Sequence, residues 1–102
     1  MTLDTIKTIA IPACHKYDVK WLDIFGSFAR GSETPQSDID SLVEFENPHI
    51  RSAKRFFGLL HYFEDALNRK IDLLTTHSLK NPYFRDRVLS EKINIYNQLT
   101  QK

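Results

Sequence analysis

Apolar positions Leu3, Ile6 and Ile9 or Ala10 recur at helical spacing near the start of the chain, and Thr2 is placed to cap a helix there. Pro12 should kink or interrupt that helix, leaving PACHKY as a short second turn. VKWLDIF (19–25) reads as a strand of mostly β-favouring residues that ends at Gly26, and SDIDSLVEF (37–45) as a second strand with Ile39, Val43 and Phe45 on one side. The clearest helix is NPHIRSAKRFFGLLHYFEDALNR, with Asn47 as its cap and Pro48 in its first position. Its mainly apolar stripe runs through Ile50, Ala53, Phe56/Phe57, Leu60, Phe63/Glu64 and Leu67. KIDLLTT (70–76) predicts a third strand, NPYFRDRVLSEK a short helix opening on a second Asn-Pro, and INIY (93–96) a closing strand. The order helix–strand–strand–helix–strand–helix–strand predicts an α/β fold, a small mixed β-sheet backed by helices.

With 102 residues and no repeat, low-complexity stretch or linker, the chain (1–102) is expected to form a single domain. No apolar run is long enough to span a membrane, and the first residues lack the pattern of a secretory signal. The lone Cys14 cannot form an internal disulfide; it fits a small buried apolar position and a reducing, cytoplasmic setting. Net charge is +1, but it is unevenly spread: residues 1–50 carry −4 and residues 51–102 carry +5. Solvated helix faces account for this, as does a basic half that draws a polyanion toward an acidic, cation-loaded one.

Between the first two strands lies DIFGSFARGSETPQSDIDSLVEF, where a plain hairpin would need only a short turn. Gly26-Ser27 closes a strand and FAR can open a helix, a turn whose amides and hydroxyl can face an anion. Arg30 can add a fixed positive charge for phosphate oxygens, or simply pair with Glu33 or Asp38. Asp38 and Asp40 stand two apart on the second predicted strand, so their side chains leave one face and repel unless a cation lies between them. Asp72 lies among Ile71, Leu73 and Leu74, where burial would make an unpaired acid costly. On the residues alone it is either a third carboxylate at the same site or the partner of Lys70 or Arg69. A phosphate-cradling turn, two carboxylates and a third on a neighbouring strand are the equipment for two-metal nucleotidyl transfer.

GSFARGSETPQSDID resembles the signature of the DNA polymerase beta nucleotidyltransferase superfamily, and more narrowly its minimal nucleotidyltransferase (MNT) branch. Gly26, Ser27, Ala29, Arg30, Gly31, Ser37, Asp38 and Asp40 match its Gly-Ser-x-Ala-Arg-Gly, five-residue, Ser-Asp-x-Asp pattern, and Asp72 supplies its third acid. The likeness runs from about residue 19 to 96 and includes DRVLSEKINIY. The resemblance implies a polymerase-beta-like fold with Gly26, Ser27, Arg30 and Ser37 around the nucleotide. It implies that Asp38, Asp40 and Asp72 hold two Mg2+ ions and carry catalysis. It also implies ATP as substrate and a HEPN-domain ribonuclease toxin as partner in a hetero-oligomer, with AMP passed to a tyrosine hydroxyl of that toxin and no direct nucleic acid binding.

A rival reading is an antitoxin that neutralises its toxin by direct binding without catalysis. A third is transfer to a small-molecule acceptor, against which the lack of an added acceptor-binding domain speaks. His15, His49, His61 and His77 show no zinc spacing with each other or with Cys14. Trp21, Phe56, Phe57 and Phe63 are expected in the core, and Arg85 and Arg87 face either a partner or solvent.

Overall fold

The computed structural model describes residues 1–99. Helix α1 (Leu3–Lys16) is capped by Thr2, whose hydroxyl accepts from the Thr5 amide at 3.2 Å. The expected break at Pro12 does not occur: the helix runs through it. The ring deprives only the Thr8 carbonyl of its helical donor, and Thr8 lies on the exposed side, while Ile6, Ala10, Ala13 and Cys14 pack inward and keep the helix continuous.

Strand β1 (Val19–Phe25) leads directly into the five-residue helix α2 (Gly26–Arg30); β2 (Ile39–Phe45), α3 (Ser52–Leu67), β3 (Ile71–Thr75), a single 3-10 turn, α4 (Pro82–Glu91) and β4 (Ile93–Asn97) follow. The sheet order is β3-β2-β1-β4. β1 runs antiparallel to β2 and β4, and β2 runs parallel to β3. The sheet is therefore mixed, as expected.

Alternation divides its faces. Ile39, Val43 and Phe45 of β2, with Val19, Leu22 and Ile24 of β1, meet α1 and α3 in the main core. Phe25, Leu42 and Leu74 point the other way, where Leu79, Val88 and Trp21 join them and Phe84 meets the Phe25 ring edge-on. The second face is thus only partly covered, and its strand ends stay open.

The start of α3 departs from the sequence reading. Asn47 and Arg51 adopt left-handed backbone, at φ 46° and 49°, and the helix begins at Ser52, so neither Asn47 nor Pro48 serves as cap or first residue. Arg55 explains the shift: its guanidinium donates to the Glu46 and Asn47 carbonyls at 2.6 and 2.7 Å while lying over the Phe45 ring, which folds residues 47–51 into a turn. The buried stripe is accordingly Arg55, Leu59, Phe63 and Leu67; Ile50 and Phe57 are exposed. The second Asn-Pro behaves as expected, with the Asn81 side chain accepting from the Tyr83 and Phe84 amides and Pro82 opening α4.

Candidate active site

The site forms where β1 ends and β2 and β3 begin. Gly26 takes φ +70°, and a Cβ placed on it would lie 2.1 Å from Asp40 Oδ2. Glycine is required on both counts: the backbone is left-handed, and the turn must press against a carboxylate. Ser27 follows, half-buried, in the first turn of α2, and its carbonyl accepts from Gly31 and Ser32 where the helix closes.

Asp40 and Asp72 are brought together by parallel register, Asp40 opposite Asp72 and Ile39 opposite Ile71. Both belong to the open face and line one cleft of about 190 Å³ with Gly26, Arg30, Phe84, Arg87 and Glu91. Asp72 is exposed rather than buried as expected, because β3 is an edge strand and no described residue covers its open face at that position. It pairs with neither Arg69 nor Lys70: Arg69 donates to the Thr34 and Ser37 carbonyls and Lys70 lies 3.8 Å from Asp38.

Asp38 is displaced from its expected place. β2 begins at Ile39, so Asp38 precedes the strand, turns toward Lys70 and does not line the cleft. Among the described residues no three His, Cys, Asp or Glu side chains close round one point. Ser37 also stands outside the cleft, its hydroxyl accepting from the Thr34 amide at 2.8 Å. Arg69, stacked over Phe28, clamps this same loop, which brings the chain back to enter β2 beside β3.

Burial, then the negative charges of Asp72 and Asp38, push the Asp40 carboxyl above the usual carboxylate range; Glu91 adds to this and Arg30 opposes it. Such a pair of carboxylates, an all-oxygen donor set facing each other beside an open cleft, fits a hard divalent cation. Cys14, by contrast, is a buried thiol pushed up to about 12 and plays no part in the cleft.

Glu91 lies outside the signature residues yet closes the site. Its carboxylate accepts from the Gly26 amide at 3.0 Å and from Arg30 Nη1 at 3.1 and 3.2 Å. Arg30 therefore pairs with a residue far along the chain, and with neither Glu33 nor Asp38. The signal was the spacing Phe84, Arg87/Val88, Glu91, which sets one stripe of α4 toward the cleft. Arg87 reaches the cleft without an ion-pair partner among the described residues. A larger open cleft, about 650 Å³, lies at the opposite end of the sheet around Lys16, Glu46 and Arg51, but its most buried cation, Arg55, is already spent on carbonyls.

A carboxylate pair in parallel register beside a glycine turn is matched by what the whole chain resembles. The family model described as the nucleotidyltransferase domain matches residues 6–95. The chain belongs to that family. A candidate protein adenylyltransferase of Methanocaldococcus jannaschii is 37% identical over 95 residues, which is 93% of this chain and 99% of that one. A solved structure of a candidate minimal nucleotidyltransferase superposes with a TM-score of 0.75 at 30% identity, covering 91% of this chain and 95% of the other. The fold also matches, at TM-score 0.63, 16% identity and 94% and 73% coverage, a structure of a tri-AMPylated Shewanella oneidensis HEPN toxin in complex with its MNT antitoxin. The nucleotidyltransferase domain thus extends through α1, which lies before the signature residues. Among the described residues, no helix is long and apolar enough to cross a membrane.

Proposed function

We propose that this nucleotidyltransferase is an antitoxin that transfers AMP from ATP to a tyrosine hydroxyl of a HEPN-domain toxin, with which it forms a hetero-oligomer. The observation that carries the reading is the register of Asp40 against Asp72 on the open sheet face, beside the Gly26 turn. The relatives named for protein adenylylation and the toxin-bound MNT fold support the acceptor class.

Asp40 and Asp72 would hold magnesium, with Asp38 drawn from its exposed contact with Lys70 to complete the set; Ser27, Gly26 and Arg30 would receive triphosphate oxygens. Bound magnesium supplies a lowered pKa for the attacking hydroxyl and charge compensation for the departing pyrophosphate. The residues contribute placement. The glycine turn lets the phosphate chain approach the carboxylates without a Cβ between, and Arg87 offers an uncommitted positive charge at the rim. The acceptor oxygen bonds to the α-phosphorus, the bond from that phosphorus to the β-phosphate bridge breaks, and pyrophosphate leaves as the hydroxyl proton passes to water.

Neutralisation by contact alone is the second reading, favoured by the turned-away Asp38. Incubation of the chain with labelled ATP, magnesium and the product of the adjacent gene separates the two. Label is expected on the toxin with wild type and none with Asp38→Ala/Asp40→Ala. Asp72→Asn should abolish transfer while nucleotide still binds. A double variant that neutralises the toxin as well as wild type does would decide for contact alone.

A further inference from the structure

The Glu91 carboxylate occupies an unusual position for a residue outside the signature. One of its oxygens takes both the Gly26 amide and Arg30, the other takes Arg30 again, and the side chain is only 18% exposed. The backbone that delivers it is fixed from the next residue. Lys92 pairs with the buried Asp23 at 2.6 Å, and Asp23 also accepts from Asn94 at 2.8 Å, so the end of α4 is pinned to β1. Arg30 already acts on Asp40 through its charge, and Asp40 and Asp72 are the other carboxylates lining the cleft.

We propose that Glu91 is a positioning residue of the transfer site, holding the Arg30 guanidinium off the Asp40–Asp72 pair while fixing the Gly26 turn. The inference rests on the nucleotidyl-transfer reading of this cleft. The physical reason is competition. A guanidinium freed of its partner finds its next anion in the carboxylates a divalent cation must occupy, and five N–H donors would take up the same acceptor oxygens. Glu91 satisfies that guanidinium first, and Arg30 then stays on the α2 side of the cleft.

Glutamine separates the two duties. In Glu91→Gln the side-chain carbonyl can still accept from Gly26, while the charge that holds Arg30 is lost. The full chain, its Glu91→Gln, Arg30→Met and Glu91→Gln/Arg30→Met variants are titrated with Mn2+, following the free-ion electron paramagnetic resonance signal, with thermal melting to check each fold. Glu91→Gln is expected to weaken Mn2+ binding about threefold, the scale of a partly exposed ion pair. Arg30→Met should bind Mn2+ at least as tightly as wild type, and the double variant should return to the Arg30→Met level.

Unchanged binding in Glu91→Gln overturns the proposal, as does a wild type that binds no Mn2+. A double variant as weak as Glu91→Gln also overturns it, since the loss would then come from the turn and not from Arg30. Tighter binding of the ATP analogue AMP-PNP to Glu91→Gln overturns it in the opposite direction, making Glu91 a stand-in for phosphate. Labelling of the toxin separates the levels. A wild type with the expected Mn2+ pattern that labels nothing sinks the transfer reading alone, and a labelling wild type matched by Glu91→Gln in Mn2+ binding sinks the Glu91 role alone.

Discussion

At Gly26, one missing methyl group decides the geometry of the site. The left-handed turn and the contact with Asp40 both exclude a side chain, so the strand can end within reach of the carboxylates. The cost falls on Asp40, which burial first, and then the charges of Asp72 and Asp38, make protonate more readily than a free carboxyl. Its pKa is raised in the folded state, so the folded chain binds that proton more tightly than the unfolded one does. The penalty is full above the raised pKa and shrinks as pH falls through it. Asp40→Asn should therefore raise the melting temperature at neutral pH by a few degrees, the scale of a repulsion below ~1 kcal/mol in a domain of this size. That gain should vanish in melts taken at increasingly acid pH. Mn2+ affinity should fall on acidification from a higher pH than an ordinary carboxylate would set, because the proton competes with the ion for Asp40.

The elements differ in what holds them. α4 depends on both ends: Asn81 caps the first turn, and Glu91 and Lys92 fasten the last. Asn81→Ala should lower stability by about 1 kcal/mol in denaturant unfolding. Toxin labelling should fall less than in Asp72→Asn, because Glu91 and Lys92 fasten the last turn separately while only Phe84 of the first turn lines the cleft. α1 shows the converse, where a proline that ought to break a helix is overruled by the packing of Ala10, Ala13 and Cys14. In α3 a tertiary contact overrides the local cue, and the helix starts at Ser52. Asn-Pro at 47–48 is indistinguishable by composition from Asn-Pro at 81–82, yet Arg55 draws the first into a turn while the second begins a helix.

Across the molecule the sheet is a partition, with one face given to the core under α1 and α3 and the other left open for chemistry. The open face is held together near β4 by a buried charge. Asp23 is 1% exposed and answered by Lys92 and Asn94, with Lys92 also over the Trp21 ring. Lys92→Met would leave that buried carboxylate without its counter-charge, held by Asn94 alone among the described residues, and a loss of about 3 kcal/mol is expected in denaturant unfolding. Adding Asp23→Asn should recover part of it, because the stranded charge and not the missing lysine is the main cost. Exposed Phe84 on α4 lines the cleft, so a protein acceptor that approaches Asp72 would meet it.

What the residues determined unaided was local or periodic: the strand runs, the glycine at the end of β1, the α4 cap, and the Gly-Ser and Asp-x-Asp spacing by which the signature can be recognised. These depend on φ preferences, hydrophobic alternation and short-range hydrogen bonds, all written in neighbouring positions. Only the tertiary structure decided that Asp72 stands opposite Asp40, that Asp38 falls outside the cleft, and that Arg30 answers to Glu91. Each of those joins segments that no periodicity links: the parallel register is set by how α3 returns the chain to the sheet, and the Glu91 contact by where α4 comes to rest. A carboxylate's neighbours in sequence fix its chemistry, but its partners across the sheet fix which charges it must answer.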